Sequence, residues 1–120
     1  MNNIHLGEIE KIFAYIIWNN EPITSGDLVK LAEKELNWKK STTYTVLKKL
    51  CERGIFKNEK GIVSSIISCE EFYSIQSESF VDSTFNGSLP AFIAAFATRK
   101  KLSKSEVEEI REMIDSMKEE

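Results

Sequence analysis

Histidine is nearly absent from this chain. His5 is the only one, and it lies close to the N-terminus. Cysteine is almost as scarce: Cys51 and Cys69 stand alone, with no CxxC pair. Two separate thiols and one terminal imidazole do not make a metal site, so no metal and no cofactor is expected. The same scarcity leaves no Ser/His/Asp set. There is no paired-carboxylate constellation either, and the five glycines form no phosphate-cradling loop. An enzyme is therefore not expected. Long apolar runs are missing too. The longest, Ile12 to Trp18, is far short of the roughly 20 residues a membrane-spanning helix needs. No signal peptide is recognisable. The expectation is a cytoplasmic protein with no direct membrane association, its cysteines small, partly buried residues in a reducing compartment.

What is present is ordinary in amount and uneven in place. The 120 residues are 42% hydrophobic and 29% charged, which fits one domain, or a small domain with an appended element. The net charge is −3, yet it is not evenly spread. Residues 1–70 carry ten Lys and Arg against nine Asp and Glu, a net of +1, and residues 71–120 carry six against ten, a net of −4. Within 39–60 there are seven bases (Lys39, Lys40, Lys48, Lys49, Arg53, Lys57 and Lys60) and two acids, Glu52 and Glu59. That local +5 is an electrostatic footprint suited to a phosphate backbone.

Periodicity gives the elements. Leu6, Ile9, Ile12, Phe13, Ile16 and Ile17 recur at helical spacing, which predicts a helix over 6–18. Asn19 to Pro22 breaks it. Thr24 with Asp27 is a capping box for a second helix reaching Leu36, with Leu28, Leu31 and Ala32 inward. Trp38 is large enough to anchor a small core. A third helix spans 40–53 and stops at Gly54. Its inward face is Thr43, Val46, Leu47 and Leu50. A two-stranded hairpin follows, with strands near 55–58 and 62–67. Three helices and a hairpin in this order make a winged helix-turn-helix, here residues 1–68. The rest, 69–120, reads as three helices opened by Ser68, Ser88 and Ser103. The fold class is thus mainly α with a small β hairpin: a winged helix-turn-helix followed by a three-helix dimerisation region.

The third helix has the residues a DNA major groove demands. Base edges there present distinguishable donors, acceptors and methyl groups, so small polar side chains near the helix start suit it. Ser41, Thr42, Tyr44, Thr45 and Lys48 are the candidates for base or phosphate contact. Lys39, Lys40 and Lys49 are candidates for flanking phosphates, with Lys57 and Lys60 on the wing. The C-terminal half carries more apolar side chains than about 50 residues can bury alone. Phe72, Ile75 and Phe80 lie on its first helix, and Leu89, Phe92, Ile93 and Phe96 on its second. The last helix carries Val107, Ile110, Ile114 and Met117 as an a/d stripe. A homodimer with interlocked helices would bury these residues, and its two-fold symmetry implies a palindromic operator.

The ordered stretches Ile16-Ile17-Trp18, Pro22-Ile23-Thr24, Trp38 through Leu50, Gly54-Ile55, Gly87-Ser88-Leu89 and Leu102 through Ile110 carry a resemblance over essentially the whole chain. The chain resembles the penicillinase-repressor family (BlaI/MecI/CopY type). The resemblance implies a winged-helix dimer that represses promoters by binding double-stranded dyad operators, in β-lactam resistance or a related stress operon. In the penicillinase branch it further implies a membrane sensor-protease and cleavage of an Asn-Phe bond in the short C-terminal helix. That bond aligns with Ala95-Phe96, where Phe96 matches and Ala95 does not. The copper branch has a cysteine-rich tail, which this chain lacks up to Glu120. Relatives commonly carry Ser-Pro after the tryptophan, where Lys39-Lys40 stands here, and a Gly-Arg pair in the wing, which is absent. Two other functions stay open on the residues alone. One is a winged-helix adaptor for other proteins without sequence-specific DNA readout. The other is a small-molecule sensor with a pocket between dimer halves, for which no convergent polar groups are visible.

Overall fold

A computed structural model describes residues 4–117. Its elements follow the order α1 (Glu8–Asn20), β1 (Ile23–Thr24), α2 (Ser25–Leu36), α3 (Lys40–Glu52), β2 (Phe56–Glu59), β3 (Ile62–Ser65), α4 (Cys69–Phe85), α5 (Leu89–Arg99) and α6 (Lys104–Ser116). The chain is mainly helical with one small antiparallel sheet, as the sequence patterning implies. The chain forms two compact units, the first reaching Glu78 and the second beginning at Ser79.

Local chemistry sets the ends of the elements. Gly7 precedes α1, and its N–H donates to Glu10 Oε1 at 3.0 Å. Thr24 caps α2, its Oγ1 accepting from the Asp27 amide at 3.1 Å, which satisfies one orphan donor of the first turn. Asn37 ends α2 in the left-handed region, at φ 58°, and its amide reaches the Glu33 carbonyl. Gly54, at φ 82°, turns the chain out of α3. Lys60 and Gly61 both have positive φ, 53° and 82°, which is the two-residue turn that matches strand twist. The turn therefore lies at 60–61, and β2 runs to Glu59, one residue beyond the expected strand end.

The sheet has three strands rather than two. Its order is β1-β3-β2. Ile23 pairs with Val63 and Thr24 with Ile62, while β2 pairs with β3 from Phe56↔Ser65 to Glu59↔Ile62. The two residues of β1 are too few to show alternation in sequence. They pair because the α1–α2 connection runs beside β3.

The first unit holds the core. Phe13, Ile17, Leu28, Leu50, Ile55, Phe56, Val63 and Phe72 are fully buried. Trp38 packs its ring 5.0 Å from Phe13. Trp18 lies between Phe56 and Phe72, at 5.4 and 5.3 Å, and its Nε1 donates to the Ile67 carbonyl at 3.0 Å. Two expectations change here. The apolar stripe of α1 is wider than the face that is covered: Phe13, Ala14 and Ile17 are buried, but Ile9 and Ile12 are 51% and 44% exposed. Phe72, expected at a dimer contact, is 0% exposed and belongs to the first core, with Ile75 packed against it. The beginning of α4 thus completes the winged-helix unit, which extends beyond residue 68.

The second unit, taken alone, is different. No described residue from 79 to 117 is buried. Asn86 and Gly87, both at positive φ, close α4. Ser88 Oγ caps α5 by accepting from the Ala91 amide at 3.1 Å. Ser103 and Glu106 form a reciprocal capping box on α6, both bonds 3.0 Å. Phe80, Phe85 and Phe92 form a ring cluster with centroids 5.6–6.0 Å apart, and Phe96 adjoins Phe92 at 6.3 Å.

Candidate nucleic-acid interface

Helix α3 presents one apolar and one polar face. Thr43, Leu47 and Leu50 are buried, which turns Ser41, Thr45, Lys48 and Glu52 outward along the opposite line. Thr43 shows why a polar residue can face inward: its hydroxyl donates to the Lys39 carbonyl at 3.3 Å, so it is not left unpaired. Thr45 does the same outside, donating to the Ser41 carbonyl at 2.9 Å. The residue itself is exposed. Lys39 is the N-cap residue but makes no side-chain cap bond, so the first-turn amides of α3 are not capped by a side chain.

The ten candidate residues are all exposed, but the structure does not place them alike. Lys48 lies on the outward line of α3. Lys49 is turned toward α1, where its Nζ lies 3.4 Å from Glu10 Oε2. Lys57 pairs with Glu59 along the wing strand at 3.4 Å. Among the described residues, Lys39, Lys40, Lys48 and Lys60 have no ion-pair partner. The Tyr44 hydroxyl is already engaged, donating to Ser25 Oγ at 3.1 Å. Ser41 and Thr42 are exposed at the start of α3.

Several positioning residues carry no signal in the spacing of the sequence. Glu10 receives Arg53 Nη1 at 3.2 Å, and the same guanidinium donates to the His5 carbonyl at 3.1 Å. The far end of α3 is thereby fastened to α1. The Gly7 amide holds the Glu10 carboxyl below its ordinary range, and Arg53 and Lys49 add to this against the opposing effect of burial. Glu21 grips the wing strand, its Oε1 accepting from the Ser65 amide at 2.7 Å and its Oε2 from the Ser65 hydroxyl at 3.0 Å. The contacts of Arg53 with Glu10 and His5, and of Glu21 with Ser65, each join residues more than forty positions apart in sequence, beyond the reach of a local pattern.

Other chemistries find little support. Burial, and then the neighbouring Glu52, pushes the Cys51 thiol up, away from the reactive thiolate. Among the described residues no group of three His, Cys, Asp or Glu side chains could hold a metal ion. No helix there is long and apolar enough to cross a membrane.

The family model of the penicillinase repressor matches residues 6–116, nearly the whole chain. The chain belongs to the penicillinase-repressor family. Members of this family are transcriptional repressors rather than enzymes. The penicillinase repressor of Bacillus licheniformis is 23% identical over 107 residues, covering 86% of this chain and 84% of that protein. The methicillin resistance regulatory protein MecI of Staphylococcus aureus (strain Mu50) is 20% identical over 107 residues, covering 86% and 87%. MecI of Mammaliicoccus sciuri is 19% identical over 104 residues, covering 83% and 85%. The matched span runs through the winged-helix unit and into α6, so the family membership applies to both units.

Proposed function

We propose that this family member is a homodimeric repressor that binds a palindromic operator, with α3 in the major groove and the wing on the flanking backbone. The outward line of α3 carries the proposal. Ser41, Thr45 and Lys48 are exposed and backed by the buried Thr43, Leu47 and Leu50, so their positions are fixed before DNA arrives. Thr42 flanks that line. Lys39, Lys40 and Lys60 supply cations with no ion-pair partner among the described residues. Lys57 and Lys49 would have to exchange a carboxylate for a phosphate, so their contribution is smaller.

The second unit supports the dimer reading. Phe80, Leu89, Phe96, Ile114 and Met117 are about half exposed or more, and Phe92, Ile93, Val107 and Ile110 only half-buried. Apolar surface of this extent on a small unit with no buried residue among those described is expected to be covered, and a second copy offers the same helices. The dimerisation region is then 79–120, which begins inside α4, not the whole of 69–120.

The names of the relatives point to an operon of β-lactam resistance or a related stress response as the target. Their family also supplies the proposed partner, a membrane sensor-protease acting on a cytoplasmic repressor. The aligned Ala95-Phe96 bond, in which Phe96 matches the family's Asn-Phe pair and Ala95 does not, lies inside α5, with Thr98 Oγ1 donating to the Ala95 carbonyl at 2.7 Å. A protease needs an extended strand of substrate, so α5 would have to open before cleavage.

The test is a salt titration of binding to the chain's own upstream promoter DNA, against random DNA of equal length. Tight promoter binding with a steep salt slope supports a dimer neutralising several phosphates. Equal and weak binding to both would reject it in favour of a protein-binding adaptor.

A further inference from the structure

Tyr44, Ser25 and Gly61 form a chain of contacts between α3 and the wing. Ser25 is the first residue of α2, so its amide is one of the donors that no helical carbonyl can satisfy. The wing turn satisfies it: the Ser25 amide donates to the Gly61 carbonyl at 2.8 Å. From α3, the Tyr44 hydroxyl donates to Ser25 Oγ at 3.1 Å. The backbone of Ser25 is thus committed to the wing and its side chain to the recognition helix. Beside it, Thr24 pairs with Ile62, so the turn is seated on the same short segment. Gly61 has φ 82°, and a Cβ there would lie 4.0 Å from Ser25 Oγ, so turn and hydroxyl are in near contact.

We propose that Ser25 is a positioning residue that couples the recognition helix to the wing, and that Tyr44 acts on DNA binding through Ser25 rather than through its own contact with DNA. This rests on the DNA-binding function proposed above. Two elements that must contact one duplex together gain affinity if their separation is set beforehand. A single hydroxyl shared between them sets it. Ser25 touches no base in this scheme.

Tyr44→Phe and Ser25→Ala each remove the same hydrogen bond and leave the core intact. Each is expected to weaken promoter binding by about threefold to tenfold. The double variant is expected to bind no worse than either single one, because only one interaction is lost. Ser25→Thr keeps the hydroxyl and is expected to restore binding. Additive losses would overturn the coupling and return Tyr44 to a direct contact; unchanged affinity in both single variants would overturn the coupling as well. Amide hydrogen exchange on the full chain without DNA is the second measurement. Tyr44→Phe is expected to speed exchange of the Ser25 amide by about threefold or more while leaving Leu28 unchanged. An unchanged Ser25 amide would overturn the coupling. A wild-type chain that shows no promoter preference would count against the repressor function, and exchange at Ser25 would then decide the coupling by itself.

Discussion

Glu10 shows how much one side chain can do for a helix it does not belong to. It accepts from the Gly7 amide and pairs with Lys49 and Arg53 of the α3 end. Its carboxyl is depressed below the ordinary 4.5. A group with a depressed folded pKa stabilises the fold fully above the unfolded value, and that contribution disappears as pH falls through the folded one. Glu10→Gln is therefore expected to cost about 1 kcal/mol near neutral pH, since the carboxylate is partly solvated. The cost should vanish in acid below its folded pKa. Thermal melts of both proteins from pH 7 downward check this, and a gap that stays constant with pH would contradict it. Phe72 makes a second case at this scale. Buried against Trp18 in the first core, it is expected to destabilise the winged helix by about 3–5 kcal/mol when changed to Ala. Phe80→Ala, at a half-exposed position, should leave the melting of that unit unchanged and act on self-association instead. Chemical denaturation followed by tryptophan fluorescence separates the two, because Trp18 and Trp38 both lie in the first unit.

At the scale of elements, the wing depends on a turn in which both central residues take positive φ. Gly61 adopts this freely, while Lys60 does so at a cost. Gly61→Ala is expected to destabilise the hairpin by about 1 kcal/mol or more, read as a lower Tm and faster exchange of the β3 amides. How legible each element was depended on how many residues carried its signal. Helix α3 was readable on both faces, because thirteen residues repeat the helical period and Gly54 marks the end. The Thr24 cap was readable because its partner Asp27 is three residues away. Strand β1 was not, since two residues show no alternation and their partners Val63 and Ile62 are distant. Helix α1 was found, but its inward face was not resolved: Ile9 and Ile12 share the stripe of Phe13 and Ile17 yet face outward. In the candidate interface, exposure followed from the period of α3. The engagement of Tyr44 by Ser25 and of Lys49 by Glu10 did not, because both are tertiary contacts.

The whole molecule combines a well-packed unit with one in which no described residue is buried. The first has its core closed by the start of α4. The second consists of capped helices whose large apolar side chains remain in view. In a homodimer those side chains would become the shared core, and each copy would contribute one α3. Ile110→Asp and Ile114→Asp, which place charge on the apolar stripe of α6, are expected to convert a dimer to monomer in sedimentation. Operator affinity should fall with it, while the winged-helix unit stays folded. A dimer that survives both substitutions would contradict the role given to α6.

Affinity for promoter DNA relative to random DNA, measured for the wild-type chain and for Thr45→Ala, reaches the proposed function most directly. A sequence-reading α3 should give the wild type a preference of about a thousandfold or more. Thr45→Ala should reduce that preference by about tenfold while the dimer and the binding to random DNA are unchanged. Equal preference in the two proteins would mean that the outward face of α3 does not read sequence.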